Sequence, residues 1–181
     1  MPADRVSRSA LGPLRLAFDA HAEVSRLQRV REGVDLHNVA ATGLPEYFPL
    51  ALFLEAADGE VMGGVLGQLW GGWLHVTFVW VDRRARGRGH ARRLIAAAER
   101  WALERGAIGV HLESFSFQAP GLYRKLGYEE FGVIDDFPPG HRQHFFRKRL
   151  APTTGASRER SRARRGEARR GSRAPGARRA R

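Results

Sequence analysis

The sequence predicts a mixed α/β domain built around one sheet, and three observations carry that expectation. A helical pattern over 90–105 lies between two apolar runs, "WLHVTFVWV" and "IGVHLESF", as in a strand–helix–strand crossover. Ala57-Asp58-Gly59 separates "YFPLALFLEA" from "EVMGGVLGQLW", and Asp-Gly between apolar runs signals a hairpin. Two more strand patterns, over about 128–134 and 144–150, close the domain.

Each element follows from its residues. Residues 1–12 carry no pattern and read as a frayed start. "PLRLAF" at 13–18 alternates and suits a short strand. Asp19 is the expected N-cap of a helix with Ala22, Leu27, Val30 and Val34 on one side, ending before "HNVAATGLP". Gly63, Gly64 and Gly67 either weaken the second hairpin strand or mark a close backbone approach. "WLHVTFVWV" is apolar on both faces and reads as a central buried strand. Ala91, Leu94, Ile95, Ala98 and Ala102 recur at helical spacing, and Gly106 ends that helix. Pro120 opens a short helix that Gly127 closes.

The net charge of +12 suggests a nucleic-acid binder until it is divided along the chain. Residues 151–181 hold eleven arginines against Glu159 and Glu167, which is +9 of the total. Residues 1–150 hold twenty basic and seventeen acidic residues, an ordinary balance. The last thirty-one residues show no apolar periodicity, and Ser, Gly, Pro and Arg dominate them. Such a segment cannot offset its ordering entropy by burial, so the sequence predicts a domain over 13–150 and an Arg-rich disordered tail over 151–181. Lysine occurs only at Lys125 and Lys148, a bias that a GC-rich coding sequence also produces. Cysteine is absent, which excludes disulfides and thiolate metal sites. Neither a signal peptide nor a membrane-spanning run is read, and the expectation is a cytoplasmic protein without membrane contact.

"VDRRARGRGHARRL", residues 81–94, sets six arginines and two glycines between a strand and the first turn of a helix. A helix N-terminus exposes backbone N–H groups and the positive end of the helix dipole, so it attracts anions. Gly87 and Gly89 allow a tight turn and a close approach of phosphate to backbone, and Arg86 and Arg88 can add charge-assisted contacts. The alternative is a plain strand–helix turn with solvated arginines. The Walker and dinucleotide-binding glycine patterns are both absent.

The stretch from Val81 to Gly106 resembles the signature of the GNAT superfamily of N-acetyltransferases, whose Arg/Gln-x-x-Gly-x-Gly/Ala loop holds the pyrophosphate of acetyl-CoA. Two registers fit, Arg84 to Gly89 or Arg86 to Ala91; the second is preferred because helical periodicity then starts where the family's helix starts. The resemblance thus implies that Arg86, Gly87, Arg88, Gly89, His90 and Ala91 cradle the diphosphate, with His90 standing where an aliphatic residue is common. "APGLYRKLGYEEFG" resembles a second family motif, with Ala119, Leu122, Tyr123, Leu126, Gly127 and Tyr128 in step. Ser116 aligns with the family's usual Asn. The likeness covers about residues 13–150 and implies a GNAT-like acyl-CoA N-acyltransferase fold, with acetyl-CoA as cosubstrate and direct transfer to a primary amine.

That reaction needs a neutral amine, stabilisation of a developing oxyanion and a proton for the departing thiolate. The resemblance makes Tyr123 the proton donor, since a phenol stays protonated at neutral pH. It places the oxyanion's backbone donor among Phe78, Val79, Trp80 and Val81, beside a slot for the pantetheine arm. Glu113 and His111 lie two apart and so on one strand face, with His75 on the neighbouring strand; Glu113 is the first choice of general base. Asp135, Asp136, His141 and His144 flank the last hairpin loop, which often borders the acceptor in the family. The histidines are too scattered to argue a metal. The acceptor amine is unspecified, a homodimer is compatible with the family, and the tail suits weak nonspecific nucleic-acid binding. Two other readings stand beside the enzyme: a basic nucleic-acid-associated protein, and a coenzyme-binding module without turnover.

Overall fold

The computed structural model describes residues 12–44 and 47–151. The chain forms two units, Met1–Pro45 and Glu46–Arg181. In the first, α1 spans Val24–Thr42 and stops at Gly43, whose φ of 69° turns its N–H back onto the Val39 carbonyl. Both ends differ from expectation. The N-cap is Glu23; Asp19 instead accepts from the His21 N–H at 3.1 Å and pairs with Arg26, closing a turn ahead of the helix. Residues 37–42 continue the helix, because neither Gly nor Pro falls among them and the left-handed stop comes at Gly43. Residues 13–18 adopt no strand. Their alternation gives extended structure only where another strand takes the backbone groups, and none among the described residues does.

The second unit runs β1 (Phe48–Glu55), β2 (Val61–Trp70), β3 (Trp73–Val81), a 3₁₀ turn (Arg83–Ala85), α2 (His90–Glu104), β4 (Gly109–Phe115), α3 (Pro120–Lys125), β5 (Glu129–Asp135) and β6 (Arg142–Arg149). One six-stranded sheet has the order β1-β2-β3-β4-β6-β5. Only β3 and β4 run parallel, joined by α2, and this is the predicted crossover. The Asp58-Gly59 hairpin forms as expected, with Gly59 at φ 84°.

The core lies on one sheet face. Leu94, Ile95, Ala98 and Ala102 of α2 pack with Leu74, Val76, Val110, Leu112 and Phe146 of the sheet and with Tyr123 of α3. Glu99 on α2 accepts from the Tyr128 hydroxyl at 2.9 Å and from Lys148 Nζ at 2.9 Å, tying helix and sheet through charge-assisted bonds. Among the described residues no helix is long and apolar enough to cross a membrane.

Pairing between β2 and β3 slips once, from Leu66↔Phe78 to Gly67↔Val76, so Thr77 is the extra residue of a β-bulge. Its hydroxyl donates to the Leu66 carbonyl at 3.1 Å. The glycines of β2 serve close approach: a Cβ on Gly63 would lie 2.7 Å from the Trp80 carbonyl oxygen. The expectation that all of "WLHVTFVWV" is buried fails beyond the bulge. Leu74 and Val76 are buried and Val79 and Val81 pack against the core, but Phe78 is 68% and Trp80 49% exposed, because past the bulge these two alternate onto the other sheet face.

Candidate active site

β3 and β4 pair over four residues only, from Trp73↔Gly109 to Val76↔Leu112, and then part. The fork therefore opens at the bulge. Strand residues direct their N–H and C=O alternately to the two neighbours. Asp82 donates to the Met62 carbonyl on the β2 side, so Trp80 and Phe78 also face β2. Val79 and Val81 face the side from which β4 has withdrawn; the Val81 carbonyl accepts from Arg86 Nε at 2.8 Å. Of the four residues singled out in the sequence, two thus present their main chain to the fork.

The glycine–arginine loop lies at the end of the same strand. Gly87 and Gly89 hold φ of 76° and 78°, the left-handed region that Gly occupies without penalty, and a Cβ on either would meet nothing within 4 Å. Gly89 is the N-cap of α2, whose first turn has neither a side-chain cap nor an acidic residue. Its free N–H groups and helix dipole suit an anion, and the open space lets one approach. Arg84 is committed elsewhere, bonded to Asp82 and Glu60, and its side-chain and backbone hydrogen bonds to Asp82 hold that carboxyl below its usual range. α2 starts at His90, where the Arg86-to-Ala91 register expects it. The His90 side chain lines a cleft of about 350 Å³ with Leu52, Leu54 and Arg93, and its buried Nδ1 has no hydrogen-bond partner among the described residues.

Tyr123 is 6% exposed, its ring tilted against Phe146 at 5.6 Å and edge-on to Tyr128 at 5.9 Å. Phe146 stands opposite Leu112, the last β4 residue paired with β3, so the ring sits beside the fork on the core face. Burial raises the phenol pKa and keeps it protonated. Its hydroxyl has no hydrogen-bond partner among the described residues.

The opposite sheet face carries the titratable groups. His75 stands in register with His111, and their rings stack at 4.4 Å with planes 8° apart. His75 Nε2 lies 3.1 Å from Glu113 Oε2. Ligand atoms of all three fall within 4.8 Å of one another, so two histidines that look scattered in sequence are neighbours. Parallel stacking sets the in-plane lone pairs side by side rather than at one point, which suits proton exchange better than chelation. Burial, then the neighbouring His75, lowers the His111 pKa against an opposing pull from Glu113, so its imidazole is neutral near pH 7. The sequence placed Glu113 and His111 on one strand face and His75 on the neighbouring strand; that His75 meets both depends on a strand register that spacing alone does not encode.

Ser116 lies just past β4. Its hydroxyl accepts from the Arg142 N–H at 3.2 Å and lies 3.4 Å from His141 Nδ1, fastening β4 to the last hairpin. Asp135 pairs with Arg142 at 2.9 Å, Asp136 accepts from Gly140 N–H at 2.8 Å, and His144 lies 3.4 Å from Glu130.

A forked parallel pair, a helix start suited to an anion at its mouth and a buried phenol beside it define an acyl-CoA transferase architecture. Residues 20–128 match the Acetyltransferase (GNAT) family. The blasticidin-S acetyltransferase of Streptomyces morookaense is 41% identical over 131 residues, 69% of this chain and 96% of that protein. An acetyltransferase structure from Bacillus cereus superposes with a TM-score of 0.67 at 34% identity, covering 74% of this chain and 98% of that one. Another from Agrobacterium tumefaciens gives 0.72 at 26% identity, covering 76% and 100%. The chain belongs to the GNAT family of acetyltransferases: it is an enzyme that uses acetyl-CoA to acetylate an amine.

Proposed function

We propose that the acceptor is the amine of an antibiotic of the kind acetylated by the Streptomyces relative, and that the fork is the transfer site. The observation that supports this most is the parting of β3 and β4 beside the left-handed glycine loop. Acetyl-CoA supplies the activated acetyl group and a thiolate leaving group. Backbone N–H groups from Gly87 to Ala91, with Arg86 and Arg88, hold its diphosphate. Main chain at Val79 and Val81 lies along the pantetheine arm and donates to the acetyl oxygen as negative charge grows there, whereas Phe78 and Trp80 line the slot from its wall. Tyr123 donates the proton to sulfur.

Glu113, held by His75, takes the proton from the amine, with His111 beside it. Tyr123 and Glu113 lie on opposite sheet faces, so acid and base act on opposite sides of the transferred group. That geometry needs no covalent enzyme intermediate. Ser116 fixes the turn bordering the coenzyme. The acetyltransferase domain spans 13–150, acts in the cytoplasm as a monomer or homodimer, and residues 151–181 give weak, salt-sensitive contact with nucleic acid.

The test incubates purified protein with acetyl-CoA and blasticidin S, streptothricin and simple primary amines, following thiol release and the acetylated product by mass. Rapid acetylation of blasticidin S is expected. Acetylation of simple amines but neither antibiotic overturns the acceptor assignment; thiol release without any acetylated amine overturns the transfer site.

A further inference from the structure

The row of side chains on the outer face of β4 does not end at Glu113. His111, Glu113 and Phe115 alternate with the buried Val110, Leu112 and Ser114, so all three share that face. Phe115 stands one two-residue step beyond the carboxylate, roughly 7 Å along the strand. There it meets two more rings, and a third lies against one of them. Phe117 stacks on it at 5.2 Å with planes 5° apart, Phe137 meets it edge-on at 5.6 Å, and His141 meets Phe117 edge-on at 4.9 Å. The result is a corner with a stacked pair for floor and two upright rings for walls.

Both supporting turns are tightly bonded. The Phe115 N–H donates to Gln118 Oε1 at 2.8 Å, and the Gln118 N–H returns to the Phe115 carbonyl at 2.9 Å. In the hairpin the Phe137 N–H donates to the His141 carbonyl at 3.0 Å and the His141 N–H to the Pro138 carbonyl at 2.8 Å. Phe117 nonetheless remains 55% exposed and Phe137 47% exposed. Rigid aromatic rings held partly in water, continuous with the row that carries the proposed base, have the character of a recognition surface rather than a core.

We propose that Phe115, Phe117, Phe137 and His141 form an acceptor subsite that selects amines bearing a flat aromatic group about one two-residue strand step from the reacting nitrogen. This rests on the reading of the fork as the transfer site, in which Glu113 takes the amine proton and so places the reacting nitrogen one step from Phe115. Ring faces and edges attract a planar π system more than a saturated ring of the same size, so the subsite discriminates by π character and not by bulk.

The probes are phenethylamine and 2-cyclohexylethylamine, which share a skeleton and differ in aromaticity. Full-length protein with acetyl-CoA is expected to show a kcat/KM about tenfold higher for phenethylamine. Phe117→Leu, which keeps apolar bulk, is expected to reduce that ratio to near one through KM, with kcat and acetyl-CoA affinity unchanged. Binding of both amines to the CoA-saturated protein, read by ligand-observed NMR, gives the same comparison without turnover. Selective binding that Phe117→Leu abolishes, with no acetylation, sustains the subsite and sinks the transfer reading. Equal turnover and equal binding of the two amines, or no binding of either, overturns the subsite. So does a change in sedimentation for Phe117→Leu with selectivity intact, since a second copy would then cover the rings.

Discussion

Gly67 faces the carbonyl oxygen of His75 so closely that a Cβ on the glycine would stand 2.4 Å away. The contact lies where the register slips past Thr77, so the glycine sets the bulge that opens the fork. Gly67→Ala is expected to cost about 1–3 kcal/mol in denaturant unfolding, the scale of overpacking against fixed backbone. It is also expected to raise the KM for acetyl-CoA, because relief requires β2 and β3 to separate. Unchanged stability and KM would mean that the bulge forms without the glycine.

Gly89→Asp puts a side chain where φ is 78° and a negative charge at the start of α2. Affinity for acetyl-CoA by isothermal titration is expected to fall at least tenfold, with the amine KM little changed. Arg86→Ala weakens the same binding by about 1.5–3 kcal/mol, the worth of a charge-assisted bond. Equal coenzyme affinity in both variants returns the loop to a simple turn.

Tyr123→Phe keeps the packing against Phe146 and Tyr128 and removes a hydroxyl with no partner among the described residues, so the melting temperature should hold. Turnover is expected to fall by roughly 10²–10⁴ in kcat, the scale of a lost general acid. Glu113→Gln should also lower kcat, but its loss shrinks as pH rises and more amine is neutral without help. Full activity in the Phe variant makes Tyr123 a packing residue.

His111 gives stability a pH slope of known sign. Its folded pKa lies below the ordinary 6.5, so below that pH the unfolded chain binds more protons. Its contribution is complete above pH 6.5 and declines as pH falls through the folded value. Thermal unfolding from pH 7.5 to 5 is expected to show a falling melting temperature that His111→Phe flattens. Asp82, Glu129 and Glu130, whose carboxyls are held low by arginine partners, act only at more acid pH and leave this window alone.

Ending the chain at Leu150 is expected to preserve the melting temperature and acetyl transfer. Leu150 still donates to the Ile108 carbonyl at 3.0 Å and packs on the core. Nonspecific binding to DNA should largely disappear, and binding by the full chain should weaken steeply with salt. Early melting of the shortened chain would place the domain boundary further on.

Legibility in the sequence followed how local each cause was. α2, its closing Gly106 and the Asp58-Gly59 hairpin form where their residues indicate, since periodicity and turn chemistry act over a few positions. The loop and Tyr123 stood out because their residue types are specific. The strand read over 13–18 failed because a strand needs a partner, which no six-residue pattern supplies. Asp19 fits a turn as well as a helix, and its side chain went to His21 and Arg26. The bulge at Thr77 and the meeting of His75 with His111 and Glu113 depend on how separate strands register. Thr77 carries no local mark of it.

Val79 and Val81 offer the fork their main chain, and every residue except proline has the same N–H there. Most substitutions on that rail therefore leave the donor side of the enzyme intact. The acceptor side proposed above is made of individual side chains, each replaceable by a single codon change. Such a protein can drift from one amine to another while its use of acetyl-CoA is inherited unchanged, so acceptor range is expected to diverge among relatives sooner than the coenzyme they share.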